Sequence, residues 1–315
     1  MRNFVGTPVK ITPLPPLLAA SKPDESRMSL LKVIVLAIVQ GLAELLPVSS
    51  SAHVVVTEKL LGLDPSSPPM TLLLVMLHTG TMLAVIAYFW SQWRDTYFRS
   101  GAALRAFAAQ VVIATFFTAL IGALIVKIIE KTLWRNVPHA EIEDLFSHLE
   151  FIAPALAAAG LLIVIAGIYE RRQPARALSP AHDLNAPRAG VIGAVQGLCL
   201  PFRGFSRSGA TISTGLLLGV VKSRAEAFSF ALAVVLTPPV VVRELLRLLR
   251  AAHEGGADLR SAALASLLGA VVAFLAGLLA LRWLSRWLEG GRWYWFGVYC
   301  LVAAGGVMLL HRAGY

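Results

Sequence analysis

Six stretches of the chain are long, apolar and nearly free of charge: roughly 70–90, 103–129, 150–170, 226–249, 261–284 and 293–311. Each reaches the length of about 20 residues that a helix needs to cross a bilayer core. Two further stretches are apolar but broken. Residues 29–46 carry Gln40, Gly41 and Glu44 and end at Pro47, and a second short helix, about 50–62, follows the turn Pro47-Val48-Ser49-Ser50-Ser51. Residues 189–200 end in Leu200-Pro201-Phe202-Arg203-Gly204, and another short helix, about 207–221, comes next. Each pair predicts a re-entrant hairpin that descends to mid-membrane, turns on polar residues and returns. Such backbone survives at that depth only when it is buried in protein or lines a wet cavity. The predicted class is therefore all-α: a polytopic membrane helix bundle of about six full transmembrane helices plus two re-entrant hairpins.

The broken stretches resemble each other. Gln40-Gly41-Leu42 recurs as Gln196-Gly197-Leu198, and each is followed by a proline and a serine-rich turn with a basic residue. Paired interruptions of this kind predict an internal repeat with a site at its interface. Repeat 1 is expected at about 28–130 and repeat 2 at about 150–311, within one transmembrane domain over 28–315. Residues 1–27 are polar, basic and proline-rich, which predicts a mobile tail; they lack the apolar core of a signal peptide.

Composition supports lipid as the solvent. Of 315 residues, 57% are hydrophobic and 15% charged, against about 45–50% and about 25% in a soluble domain, and the mean hydropathy is +0.71. The formal charge of +10 lies mostly in short segments between apolar runs, where it orients spans and meets anionic lipid. No basic stripe is interleaved with aromatics, which argues against nucleic acid. Loops near 91–105 (Arg94, Arg99, Arg105) and 171–188 (Arg171, Arg172, Arg176, Arg188) are basic, whereas 130–150 holds Glu130, Glu141, Glu143, Asp144 and Glu150. The positive-inside rule then places both termini outside; Arg243, Arg247, Arg250 and Arg260 count against that orientation. Cys199 and Cys300 have neither metal nor disulfide spacing and are read as small buried hydrophobes.

Two polar constellations carry candidate chemistry. In the first, Gln40 and Glu44 are four apart on one helical face, and Ser50 and His53 are three apart on the next. A carboxylate at the bilayer centre costs about 2.5–3.5 kcal/mol on insertion scales, so an idle Glu44 is not expected. In the second, Gly204-Phe205-Ser206-Arg207-Ser208-Gly209-Ala210-Thr211, Ser206 or Ser208 can cap a new helix. That helix N-terminus and the Arg207 guanidinium together suit a phosphate. A carboxylate, hydroxyls, an imidazole and an anion cradle make a toolkit for phosphoryl transfer. His78, in His78-Thr79-Gly80-Thr81, is expected to be a hydrogen-bonded packing residue, or else to stand just behind the site. His139, His148, His182, His253 and His311 are expected to be solvated, and Glu226 and the Arg243/Glu244 pair to form salt bridges or interfacial anchors.

The two motifs resemble those of the undecaprenyl-diphosphate phosphatases, also called bacitracin-resistance proteins. The family runs EGLTEFLPVSSTGH and PGFSRSGAT stand here as QGLAELLPVSSSAH and RGFSRSGATIS, and the hydropathy layout is similar over about 29–311. The resemblance implies dephosphorylation of undecaprenyl diphosphate to the monophosphate. That reaction recycles the lipid carrier for peptidoglycan synthesis and gives tolerance to bacitracin. It implies an inverted repeat, a bacterial plasma (inner) membrane location, a pocket opening to the periplasm, and dependence on Mg²⁺ or Ca²⁺. Carried over by position, Glu44, Ser50, His53 and Arg207 are the expected catalytic set, with Ser50 as nucleophile or water-orienting group and His53 as acid or base. Ser49, Ser51, Arg203, Ser206, Ser208 and Thr211 are expected around the substrate, and Glu44 with Gln40 around the metal. This chain departs from the family pattern at Gln40, Ser51, Ala52 and Arg203, the last replacing a proline and offering a second cation. The implied partners are the polyprenyl diphosphate and membrane lipids; a homodimer is left open.

Rival readings remain at this stage. A flippase for polyprenyl phosphate would use the same broken-helix architecture but only the anion site. The acid-phosphatase-like lipid phosphatases need a histidine and an aspartate after Ser206-Arg207, and neither is present in Ser208–Gly215.

Overall fold

The structure, a computed structural model, describes residues 29–64, 67–133, 149–173, 181–255 and 259–313. The tail 1–27 and Arg176, His139, Glu141, Glu143, Asp144 and His148 lie outside the described residues, as do the side chains of Arg247, Arg250, His253 and Arg260. Among the described residues there are ten helices and no strand: α1 Leu30–Leu45, α2 Ser50–Leu61, α3 Pro68–Thr96, α4 Gly101–Leu133, α5 Leu149–Arg172, α6 Ala186–Cys199, α7 Arg207–Leu217, α8 Lys222–Gly255, α9 Leu259–Glu289 and α10 Tyr294–Arg312. Six of them (α3, α4, α5, α8, α9 and α10) are long and apolar enough to cross a membrane. These are the six segments expected from hydropathy, five of them longer at both ends and α10 shifted by one residue. This is a multi-pass, all-helical membrane bundle.

Local chemistry sets the helix ends. Pro68 and Pro69 open α3, where a missing N–H costs nothing. Asn185 caps α6 through its side chain, which accepts from the Arg188 N–H at 3.0 Å, so this helix starts earlier than the expected residue 189. α7 stops at Leu217 rather than near 221, because Gly219 turns left-handed at φ 80° and its N–H bonds to the Leu216 carbonyl. Gly62 closes α2 in the same way, with φ 62° and Leu63 N–H returning to the Glu58 carbonyl at 2.9 Å.

The packing partners follow a rule. α1 packs on α9 and α6 packs on α4; α5 packs on α10, and α3 on α8. Adding five to each helix number exchanges the first two pairs and returns the last two to themselves. Glycines serve both hairpins. A Cβ on Gly41 would lie 2.6 Å from the Ala276 Cβ and 2.7 Å from the Ala273 carbonyl oxygen of α9; one on Gly197 would lie 2.7 Å from the Thr118 carbonyl oxygen of α4, and one on Gly193, a turn earlier, would strike the Ala114 carbonyl oxygen. The recurring Gln-Gly-Leu is thus in both hairpins a point where a short helix touches a long one backbone to backbone. Ala273 and Ala276 are near the middle of the α9 span, Ala263–Glu289, and Thr118 is near the middle of the α4 span, Gly101–Thr132. Both hairpins therefore reach mid-membrane depth.

Gly41→Leu and Gly197→Leu are each expected to push a hairpin off its long helix. The cost should be at least the roughly 1–3 kcal/mol of ordinary overpacking, since the obstructing atoms include backbone. The check is the thermal unfolding midpoint of the purified protein in detergent; an unchanged midpoint would contradict this packing.

Candidate active site

The tips of the two hairpins meet. Glu44 stands at the end of α1, Ser50 opens α2 and Arg207 opens α7. One guanidinium nitrogen of Arg207 lies 3.0 Å from Oε1 of Glu44. The other carboxylate oxygen, Oε2, accepts the Ser50 hydroxyl at 2.5 Å and the Gln40 amide at 3.3 Å. The Glu44 and Arg207 side chains keep 17% and 23% of their surface exposed, so a ligand can reach both. The N-termini of α2 and α7 bring their first-turn N–H groups and positive dipole ends to the same place. The arrangement can bind an anion and can take a proton from a hydroxyl beside it.

Side chains tie the tips together. The Gly204 N–H donates to the Ser51 hydroxyl at 3.2 Å, Ser49 and Ser51 share a hydrogen bond at 3.2 Å, and the Ser208 hydroxyl faces the Leu46 carbonyl at 3.5 Å. Gly204 has φ 100°, and a Cβ there would strike the Ile152 carbonyl oxygen of α5. Ser49 is the one non-glycine with positive φ, 69°, among the described residues. Strain at such positions is kept only where surrounding structure enforces it. Here its carbonyl accepts both the His53 N–H at 3.4 Å and the His53 ring Nδ1–H at 2.8 Å.

Several expected site residues take different places. His53 does not reach Ser50: Nδ1 is held by the Ser49 carbonyl, which leaves Nε2 to accept the Tyr299 hydroxyl at 2.7 Å. The group that takes up the Ser50 hydroxyl is Glu44, not His53. Ser206, Ser208 and Thr211, expected around the substrate, are buried. Ser206 is the cap of α7 and accepts the Gly209 N–H at 3.2 Å, and Thr211 is turned to Ser229 of α8 at 2.6 Å. Ser49 is buried as well, so from the serine run Ser50 and Ser51 are the partly open members. Arg203 is exposed and lies close enough to Glu58 of α2 to act on its charge.

His78 makes the expected hydrogen bond within its helix and, as the alternative reading had it, stands beside the site. Its Nδ1 bonds to the Leu74 carbonyl at 2.8 Å, and Nε2 lies 4.0 Å from Oε2 of Glu44 with 43% of the side chain exposed. Its position in Leu77-His78-Thr79-Gly80-Thr81 inside a span was the available signal. Tyr299 gave none, being one aromatic in an apolar helix. Glu226 is buried and accepts the Ser285 hydroxyl at 2.5 Å rather than forming a salt bridge, whereas Arg243 and Glu244 do pair at 3.2 Å. His182 is held by the Gly219 carbonyl at 3.3 Å, and His311 lies 3.6 Å from Glu150. Both cysteines are buried and free.

Residues 33–306 match the family model described as bacitracin resistance protein BacA. The chain belongs to that family. It is 56% identical over 287 residues to undecaprenyl-diphosphatase 2 of Acinetobacter baylyi, covering 90% of this chain and 98% of that one. It is 34% identical over 292 residues to undecaprenyl-diphosphatase 1 of Burkholderia pseudomallei, and 32% identical over 294 residues to undecaprenyl-diphosphatase 2 of Burkholderia ambifaria; each match covers 88% of this chain and 95% of the relative.

A divalent cation expected from the BacA resemblance finds a poor donor set in these residues. The two oxygens of the Glu44 carboxylate face Arg207 on one side and Ser50 and Gln40 on the other. Among the described residues, no three His, Cys, Asp or Glu side chains are grouped for a metal. Hard cations want six or more oxygens, and Mg²⁺ at phosphate sites takes much of its shell from water and the phosphates. Glu44 and Gln40 therefore do not form a metal site by themselves, and no step below passes through one. Calorimetric titration of chelator-washed protein with Mg²⁺ or Ca²⁺, without lipid, is expected to show no saturable heat at submillimolar concentration. A tight stoichiometric isotherm would overturn this account of Glu44.

Proposed function

We propose that this protein hydrolyses undecaprenyl diphosphate to undecaprenyl phosphate and inorganic phosphate, and so supports carrier recycling and bacitracin resistance. The observation that carries the reading is the chain Ser50–Glu44–Arg207. One carboxylate holds a hydroxyl by a short hydrogen bond and a guanidinium by an ion pair, where two helix N-termini meet. Guanidinium carries five N–H donors, so the contact to Glu44 leaves Arg207 donors for phosphate oxygens. Charge then builds on the diphosphate in a site already polarised to receive it.

In the step we infer, the Ser50 oxygen attacks the terminal phosphorus and its proton passes to Glu44. The anhydride bond breaks, and the lipid monophosphate leaves with the bridging oxygen. Water then cleaves the phosphoserine and releases phosphate. Direct attack by a water held between Ser50 and Glu44 uses the same groups and gives the same products. His53 acts at one remove: through Ser49 it fixes the strained turn that presents Ser50. His78 adds a polar group that the incoming phosphate meets on its way to Glu44.

The site is proposed to open to the periplasmic face of the plasma membrane. Support comes from the opposite ends of the spans, where Arg94, Arg99, Arg171, Arg172, Lys222, Arg224, Arg286 and Arg292 gather, as cytoplasmic ends do. Three spans and one hairpin in each five-helix half would invert the second half relative to the first. The halves we favour are Leu30–Arg172 and Ala186–Arg312, which assigns α5 to the first. Both hairpin tips come from one chain, so a second copy is not needed to complete the site.

Purified protein in lipid vesicles is expected to release phosphate from undecaprenyl diphosphate. Ser50→Ala and Arg207→Ala should each lower the rate constant by about 10²–10⁴-fold, the usual yield of a lost acid–base partner or charge-stabilising donor. Tyr299→Phe should cost under about tenfold, since Ser49 still orients His53. Movement of polyprenyl phosphate between leaflets without any phosphate release would make the protein a transporter instead.

A further inference from the structure

A second place in the molecule is built for an anion, and the proposed chemistry does not use it. Near the end of α9 a recess of about 700 Å³ is lined by Arg282, Arg286 and Arg292 and by Trp283 and Trp287. Arg282 and Arg286, like Trp283 and Trp287, are four apart on a helix, so each pair shares a face. Arg292 joins them because the chain reverses at once: Gly291 takes φ 67°, and the Arg292 N–H returns to the Trp287 carbonyl at 2.8 Å. The two indoles pack edge to face with centroids 5.2 Å apart, and Trp287 continues onto Phe296 of α10 at 5.2 Å. A basic rim therefore stands over an aromatic wall that spans two helices.

All three arginines are exposed. The neighbouring carboxylate, Glu289, acts on Glu226 of α8 rather than lining the recess. Cations that only anchor a helix at an interface would point separately into the headgroup layer; here three line one cavity. The recess lies further along α9 than the hairpin tips. Gly277 meets Leu45 beside Glu44, and Arg282 and Arg286 stand five and nine residues beyond it, about 7.5 and 13.5 Å at the helical rise. It is at the end of the spans where the other basic residues gather.

We propose that this recess binds the headgroup of an anionic membrane phospholipid. Its phosphodiester would sit among the three guanidinium groups, and its glycerol and upper acyl chains would lie against Trp283 and Trp287. Guanidinium forks match phosphate oxygens. Indoles favour the level where headgroup meets hydrocarbon, and the recess sits where a transmembrane helix ends. A lipid held there would brace the α9–α10 turn.

The test is thermal unfolding of the full chain in neutral detergent, with added phosphatidylglycerol, phosphatidylcholine or inorganic phosphate. Phosphatidylglycerol is expected to raise the midpoint by roughly 3 °C or more, with little effect from the other two. The combined variant Arg282→Gln, Arg286→Gln, Arg292→Gln should lose that shift while still releasing phosphate from the diphosphate substrate. An equal shift with phosphatidylcholine, or a full shift in the variant, would overturn the proposal. An equal shift with inorganic phosphate would leave a free-anion site and overturn the lipid assignment. Should the variant fail to fold, brominated phosphatidylglycerol must quench wild-type tryptophan emission more than brominated phosphatidylcholine does. That excess must vanish in Trp283→Phe, Trp287→Phe; no excess in the wild type would also defeat the idea.

Discussion

The contact between Glu44 and Arg207 joins two parts of the chain 163 residues apart, and the organisation of the bundle is arranged around it. Either charge alone at this depth would be expensive, because the interior offers neither water nor counter-ion. Placed together, each supplies what the other lacks, and neither hairpin has a stable polar tip without its partner. The glycine contacts at Gly41 and Gly197, the cap at Ser206 and the serine ties between the tips hold both hairpins at the depth where this pair can form.

The two hairpins share a scaffold but not a task. Gln40 and Gln196 occupy equivalent places in the recurring tripeptide, and both are buried. Gln40 donates to the Glu44 carboxylate, whereas Gln196 donates to the Thr118 hydroxyl of α4 at 3.0 Å. One copy braces the acidic group; the other fixes a helix crossing. The division continues at the turns. The first presents Ser50 on a strained serine, and the second presents Arg207 beyond a left-handed glycine. One hairpin thus carries the carboxylate and the hydroxyl, and the other carries the guanidinium cation.

Much of this was legible in the sequence because the bilayer is a severe solvent. Runs of about 20 apolar residues marked all six spans, and Pro47 and the Leu200–Gly204 segment marked the turns. Glu44 and Arg207 stood out as charges with no reason to be buried except each other and a ligand. What stayed hidden depends on rotation about helix axes and on contacts between distant segments. The pattern of α7 could not say that Ser206, Ser208 and Thr211 face inward while Arg207 faces the opening, since hydroxyls surround that helix. His78 is 34 residues from Glu44, and Tyr299 is 246 residues from His53; only the folded chain brings them close. Part of the motif therefore maintains the shape of the turn.

The depth of the turns sets where the charged end of a ligand must rest. Glu44 is 14 residues into α1, about 21 Å of helix from its start, beside the middle of a span. A lipid must sink its polar end that far between protein walls while its tail stays in the hydrocarbon. The re-entrant geometry thus brings the head and the tail of one lipid to the same level of the membrane, the head inside the protein and the tail beside it.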